Sequence, residues 1–115
     1  MNEISVSICG LRGFRMYRLA LVCAQGVLKL PFGGDLKRQV TRSMQSVVLN
    51  IAEGASETST TNRRRYFRIA RASLWETGAA LDLLRLELGE RATLADAAAV
   101  VGDLDTMLRG SLRGS

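Results

Sequence analysis

Apolar residues recur at spacings of three and four in four stretches that cover most of the chain. This spacing places them along one side of an α-helix. Only one proline interrupts 115 residues, and aromatic residues make up only 5%, so the core must be built mainly from aliphatic side chains. We therefore predict an all-α fold, an up-and-down antiparallel four-helix bundle that forms a single domain over residues 1–115.

The first predicted helix runs from about Phe14 to Lys29 or Leu30 and carries two neighbouring apolar stripes. An apolar surface this broad exceeds what one bundle contact needs, so we expect the helix to contact a neighbouring subunit as well. The sequence PFGG at residues 31–34 ends the helix. Residues 1–12 are predicted to form an N-terminal arm.

The other predicted helices cover residues 36–53, residues 63–88 and the stretch after residue 93, with a frayed tail at residues 110–115. A side-chain oxygen ahead of a helix accepts hydrogen bonds from its free amides, and glycine often ends a helix. On this basis we predict N-terminal caps at Asp35, at Thr60 or Thr61, and at Thr93, and helix stops at Gly54 and Gly89.

The chain is basic, with 16 Lys and Arg residues against 11 Asp and Glu residues and a formal net charge of +5. Fourteen of the basic residues are arginines, whose planar guanidinium suits phosphates and carboxylates. This charge permits binding to nucleic acid or to an acidic surface. Many basic bundles, however, carry their charge only on solvated faces.

Arginines form ridges on two predicted helices. Helical spacing aligns four residues on one side of the third helix and two more, one turn apart, on the second. Together the ridges predict a strip that binds phosphates, with a tryptophan available to stack on a base. The candidate nucleic-acid-binding residues are Arg38, Arg42, Arg64, Arg68, Arg71 and Trp75. The alternative is a solvated face whose arginines pair with carboxylates such as Glu57 and Glu76.

Polar residues also lie close to the apolar sides of the second and third helices. Ser46, Asn50 and Glu53 follow one another at spacings of four and three, and Ser73 and Glu76 occupy similar places on the third helix. Antiparallel packing would bring the two groups together. They then form either a small polar pocket or a hydrogen-bonded clasp that sets the helix register, and we favour the clasp because buried polar groups need partners.

Catalytic and metal chemistry find little support. The chain has no histidine, which excludes Ser-His and Cys-His nucleophile arrangements and leaves di-metal carboxylate sites incomplete. The glycines form neither a phosphate-binding loop nor a dinucleotide fingerprint. We expect no enzyme activity, no catalytic residue, no metal and no cofactor.

The two cysteines, Cys9 and Cys23, form no CxxC pattern, and two reduced thiols in a cytoplasmic protein are expected. No segment approaches the roughly 18 apolar residues of a membrane span. We therefore expect a cytoplasmic protein with no membrane partner.

Three sequence blocks resemble a known family. They are LRGFRMY at residues 11–17, QVTRSMQSVVLNIAEG at residues 39–54 and YFRIARASLWE at residues 66–76. The second block resembles the signature of four-helix-bundle proteins encoded in intervening sequences of bacterial large-subunit (23S) rRNA genes. The third differs from the family pattern at Ala72, where a glycine is usual.

The resemblance implies the four-helix bundle and a ring-like homo-oligomer, with five subunits expected. Accessory (Avd-like) proteins of diversity-generating retroelements are similar in fold and bind nucleic acid beside a reverse transcriptase, so RNA or DNA binding is the leading hypothesis by analogy. The alternative is a scaffold that recruits a protein such as a polymerase or a nuclease without touching nucleic acid. A small-molecule-binding bundle is a third hypothesis, and it requires an internal pocket.

Overall fold

The computed structural model describes residues 14–113, which fold into four α-helices. The predicted N-terminal arm, including Cys9, lies outside the described residues. The helices are α1 (Arg15–Leu28), α2 (Gly34–Ser56), α3 (Thr60–Leu88) and α4 (Ala92–Leu112). The all-α four-helix fold predicted from the apolar spacing is thereby confirmed.

Each helix packs on its neighbours in the chain, and α4 packs back on α1 to close the bundle. The register of α2 on α3 is set by two hydroxyl pairs, Ser43 with Thr77 and Ser46 with Ser73, each with oxygens 2.7 Å apart. Residue numbers rise along one helix as they fall along the other. The two helices are therefore antiparallel, as an up-and-down bundle requires.

The core is mainly aliphatic, as the scarcity of aromatic residues predicted. Phe67 is the one ring among the buried hydrophobic side chains of residues 14–113. On α1 only one of the two apolar stripes is buried, and its residues are Met16, Ala20, Cys23 and Val27. The other stripe is half-buried. Burial raises the pKa of the Cys23 thiol to about 12, so this thiol is protonated at neutral pH.

Two of the predicted N-terminal caps are wrong. The residue before α2 is Gly33, and Asp35 lies inside the first turn, where it forms an ion pair with Arg38. The residue before α4 is Arg91, and Thr93 lies within the helix. Neither helix start has a side-chain hydrogen bond from its cap residue. A polar residue that suits an N-cap predicts that a helix begins nearby, but it does not fix the residue at which the helix starts.

The cap of α3 also differs from the prediction by one residue. Ser59, rather than Thr60 or Thr61, is the N-cap, and its hydroxyl accepts a hydrogen bond from the backbone N–H of Asn62 at 3.3 Å. The three hydroxyl residues are adjacent, so the sequence supplies several equivalent caps. The helix takes the first of them.

The helix stops predicted at Gly89 and Gly54 have opposite outcomes. Gly89 follows α3 with a φ of 76°, which confirms the predicted stop at a position where an L-residue would be strained. Gly54, in contrast, is buried inside α2, which continues to Ser56. The predicted stop at Gly54 is wrong because this glycine is used for close packing against α3. At the other end of the chain, α4 extends to Leu112, three residues into the stretch predicted as a frayed tail.

Candidate nucleic-acid interface

A contact between α3 and α4 holds Trp75, the aromatic residue of the candidate ridge, in place. Trp75 is 63% exposed, yet its indole N–H donates to Asp105 Oδ1 at 2.9 Å. Arg71 Nε donates to the same oxygen at 2.8 Å. The Arg71 guanidinium also lies over the indole ring, 5.2 Å from its centroid. The ring is therefore held by a hydrogen bond and by a cation–π contact.

Asp105 is the carboxylate that forms an ion pair with Arg71 beside Trp75. Burial raises the pKa of Asp105, but hydrogen bonds from Arg71 and Trp75, together with the charges of Arg71 and Arg109, outweigh burial. The net result is a pKa below the ordinary value of 3.8. Asp105 is therefore ionised at neutral pH, and its Oδ1 acceptor is occupied by Arg71 and Trp75.

Two arginines of α3 bind the ends of neighbouring helices. Arg64 donates through Nη2 to the backbone carbonyl of Leu112, the last residue of α4, at 2.5 Å. Arg63 donates to three carbonyls at and just beyond the end of α2, those of Gly54, Ala55 and Glu57, at 3.1 to 3.3 Å. Helix C-termini carry partial negative charge, so both contacts stabilise the bundle. The role of Arg63 was missed in the sequence, because these contacts follow from how the helices turn and pack.

Two further arginines have no such partner. Arg68 on α3 and Arg109 in the last turn of α4 are exposed, and neither has a hydrogen bond or an ion pair within residues 14–113. Arg64 contacts Leu112, and Arg71 contacts Asp105, so α3 and α4 run antiparallel. This register places Arg109 level with the turn of Arg68. Arg109 was missed because the sequence does not give the register of α4 on α3.

These residues define one surface, which we call the basic face: Arg64, Arg68, Arg71, Trp75 and Arg109. Of these, Arg64, Arg68, Arg71 and Trp75 belong to the ridge predicted on the third helix. The structure brings them together with a residue of α4 rather than with the second predicted ridge.

The arginines predicted on the second helix lie elsewhere. The pairing of Ser43 with Thr77 places Arg38 level with Asp82. At about 1.5 Å per residue, this level is roughly 27 Å along the bundle axis from that of Arg64. Arg38 pairs with Asp35, and Arg42 is exposed without a partner among the described residues. The same pairing places Arg42 level with Gly78, so only Arg38 lies far from the α3 ridge along the axis.

The carboxylates suggested as partners for the α3 ridge do not reach it. Glu57 Oε1 accepts a hydrogen bond from Asn62 Nδ2 at 3.3 Å. Glu76 is exposed and forms no ion pair within the described part of the chain. The carboxylate that does pair with the ridge is Asp105, on a helix that the alternative did not consider.

The polar clasp is present in part. Ser46 and Ser73 bond through their hydroxyls, and Asn50 Nδ2 donates to Ser46 Oγ at 3.1 Å and to its carbonyl at 2.8 Å. Glu53 and Glu76 point to solvent and take no part in these contacts. Three of the five predicted residues therefore meet at the α2/α3 contact, and both carboxylates stay outside it.

A second hydroxyl pair lies deeper, between Ser43 and Thr77. Ser43 is 4% exposed and Thr77 is 0% exposed. Ser43 Oγ also lies 3.1 Å from the Val40 carbonyl oxygen, and Thr77 Oγ1 lies 3.2 Å from the Ser73 carbonyl oxygen. With one proton each, one hydroxyl donates to the other, and the second donates to its own helix carbonyl. Both side chains have their partners inside the protein, which is typical of groups that set helix register. Helical spacing places both residues on the apolar sides of their helices.

Neither a metal cluster nor a membrane helix is found where the structure describes the chain. Within residues 14–113, no three His, Cys, Asp or Glu side chains are grouped closely enough to hold a metal ion. None of the helices α1 to α4 combines the length and the apolar content that crossing a bilayer requires.

Comparisons with known proteins agree with the fold. One solved structure is described as a protein with unknown function from the S23 ribosomal protein family of Bacteroides thetaiotaomicron VPI-5482. It superposes with a TM-score of 0.74 at 17% identity, over 86% of this chain and 99% of that chain. At this identity the likeness shows the fold alone. Among curated proteins, none matches this sequence significantly.

The sequence itself matches a family over most of its length. Residues 17–109 match the family described as 23S rRNA-intervening sequence protein. The matched segment contains all of α2 and α3 and most of α1 and α4. It also includes the two blocks that meet at the α2/α3 contact. This chain belongs to the family of 23S rRNA-intervening sequence proteins.

Proposed function

We propose that this protein is a non-enzymatic, oligomeric scaffold that binds RNA or DNA by contacting phosphates through the basic face. One observation carries the proposal: Arg68 and Arg109 are exposed at the same level of the α3/α4 contact, and neither forms a hydrogen bond or an ion pair within residues 14–113. Free guanidinium groups on a rigid helical surface suit phosphate oxygens.

The position of the basic face within the bundle supports this function. Positive side chains near the N-terminus of a helix oppose its dipole, and α3 begins at Thr60 with three arginines in its first two turns. Arg63 and Arg64 are compensated by the carbonyls that they bind. Arg68 lies in the third turn of α3, beyond the reach of the dipole, and has no hydrogen bond or ion pair within residues 14–113. A nucleic acid offers it a row of anions to bind.

RNA is the first nucleic acid to test. The family name refers to 23S rRNA, and the structural relative is assigned to a ribosomal protein family. The contacts proposed here involve charge and not base edges, so we expect little dependence on sequence.

Self-association is proposed on a different surface. The outer side of α3 exposes Ile69, Leu83 and Leu86, whose side chains are 40%, 52% and 83% exposed. An apolar stripe of this length is typical of a contact between subunits. The family resemblance leads us to propose a ring of five copies.

The same apolar stripe gives the alternative function its support. A protein partner, such as a polymerase or a nuclease, would bind there while nucleic acid stays unbound. A mass measurement on the purified protein separates the two proposals for this stripe, because a homo-oligomer that covers it forms without any partner.

The function is tested by charge reversal. We would measure the binding of a fluorescent single-stranded RNA at low salt by anisotropy, with the wild type and with Arg68→Glu/Arg109→Glu. The double variant is expected to lose on the order of tenfold or more in affinity. Arg91→Glu, an exposed change at the opposite end of the bundle, serves as the matched control and should bind like the wild type.

The arginines of α2 receive the same test. Arg38→Glu/Arg42→Glu is expected to weaken binding less than the change on the basic face, because these residues lie on α2, outside the α3/α4 contact. Equal losses for the two double variants would extend the interface to α2. Wild-type affinity in Arg68→Glu/Arg109→Glu would contradict the proposed interface.

A further inference from the structure

A cleft of about 440 Å³ lies between α3 and α4, beside Trp75. This volume is within the range of roughly 300–1,000 Å³ that small-ligand clefts occupy. Its walls include Gly78, Ala79 and Gly102, whose small size keeps the two helices from filling the space. A Cβ atom at Gly102 would meet no other atom within 4 Å. The cleft is therefore open next to a fixed aromatic ring.

The indole ring has one occupied side and one open side. Arg71 covers the ring and, with Arg68, lines a separate depression next to Trp75. The cleft at Gly78 and Gly102 is lined by Trp75 but not by Arg71. Because Asp105 holds the indole N–H, the ring cannot turn away without losing that bond. The side of the ring that Arg71 leaves uncovered, the open side, is therefore held in place at the cleft, whose lining also includes Asp82 and Asp105.

These features fit an unpaired nucleobase. A base presents a flat π-face that stacks on an aromatic ring, and small residues leave room for its thickness. Arg68, which borders the neighbouring depression, can take the phosphate of the same strand. The bases of a duplex are already stacked and cannot enter a cleft between two helices. An aromatic side chain of a protein would also stack, but it would bring no phosphate to the free arginines.

We propose that the cleft binds one base of a single-stranded nucleic acid, stacked on the open side of Trp75. The inference rests on the proposed function, since it adds a base contact to the phosphate contacts of the basic face. It predicts a preference for single strands over duplexes. Charge alone does not predict that preference, because a duplex carries the higher charge density.

Intrinsic fluorescence tests the inference directly, because Trp75 is the one tryptophan of the chain. Three matched RNA ligands of equal length would be titrated, namely a single strand, a duplex and an abasic single strand. Anisotropy of a label on the RNA reports all binding, whereas quenching of Trp75 reports stacking. We expect all three ligands to bind and the base-containing single strand to quench most strongly.

Two glycine variants provide the structural control. Gly102→Leu fills the cleft, and Gly26→Leu places the same side chain on an exposed position of α1 that is also free of neighbours. Both replace a helical glycine with a good helix former, so both should fold. Gly102→Leu is expected to weaken single-strand binding by about 5- to 150-fold, the range of one lost stacking contact. Gly26→Leu should leave it unchanged.

The outcomes separate the two proposals. Binding of all ligands without selective quenching, or with equal affinity in Gly102→Leu, would overturn the base site and leave phosphate binding in place. Equal affinities for the base-containing and abasic strands would do the same. Absence of binding to any ligand at low salt would overturn the proposed function and the base site with it.

Discussion

The ring of Phe67 on α3 packs directly against the bare Cα of Gly54 on α2. A methyl group at position 54 would lie closer to the ring carbons than van der Waals contact allows. Phe67 also stacks on Phe14, with ring centroids 6.3 Å apart, so the ring is held from a second side. This contact joins two of the three sequence blocks that carry the family resemblance.

Gly54→Ala is expected to destabilise the protein by about 1–3 kcal/mol, the usual cost of overpacking a core. Alanine normally stabilises a helix relative to glycine by about 1 kcal/mol, so the sign of the effect is diagnostic. Gly26→Ala, at an open position of α1, is the control and should be neutral or stabilising. Urea unfolding measures both variants, and a stabilised Gly54→Ala would contradict the close contact.

The buried hydroxyl pair of Ser43 and Thr77 gives a second prediction. Removal of one hydroxyl, in Ser43→Ala or Thr77→Val, should cost about 1–2 kcal/mol, because the remaining group loses a partner in a dry site. The double variant should cost less than the sum of the two. A double-mutant cycle by chemical unfolding measures the coupling. Strict additivity would show that the two hydroxyls do not depend on each other.

Arg63 and Arg68 are predicted to differ in what they do. Arg63→Met removes three contacts to carbonyls at the end of α2 and is expected to cost about 1 kcal/mol of stability. Arg68→Met removes no hydrogen bond or ion pair within residues 14–113 and should leave the melting temperature unchanged. RNA affinity should fall in Arg68→Met and stay close to that of the wild type in Arg63→Met. Thermal melts and anisotropy on the same samples test this, and a stability loss at Arg68 would contradict its free state.

Stability should depend on pH through Asp105. Its pKa is lower in the folded state than the ordinary value of 3.8, so its contribution is complete above that value and is lost as pH falls through the folded pKa. Asp105→Asn should therefore be less stable than the wild type near neutral pH, and the difference should shrink as pH falls below 3.8. Asp96→Asn, at an exposed carboxylate without an ion pair, is the control. A constant difference across this range would contradict the assignment.

The sequence was sufficient to predict the four helices, because apolar spacing is a local property that each helix carries by itself. The helix ends were predicted less well. Gly54 has the local properties of a stop, and only its tertiary contact with Phe67 explains why the helix continues through it. Asp35 and Thr93 are good caps by residue type, but the helices begin at neighbouring residues.

The candidate site was predictable only within single helices. Helical spacing correctly aligned Arg64, Arg71 and Trp75, and it indicated the meeting of Ser46 with Ser73. It could not show that Asp105 binds Arg71 and Trp75, since that depends on the register of α4 on α3. Glu53 and Glu76 were placed in the clasp because spacing does not distinguish a side chain at the helix contact from one just outside it.

The salt dependence of RNA binding is the measurement that tests the central claim most directly. Each phosphate contact contributes about 0.7–0.9 to the slope of log affinity against log salt concentration. We predict a clear negative slope for the wild type and a slope smaller by about 1.4–1.8 for Arg68→Gln/Arg109→Gln, which loses two contacts. The same slope in both proteins, or binding that does not change with salt, would contradict phosphate recognition by the basic face.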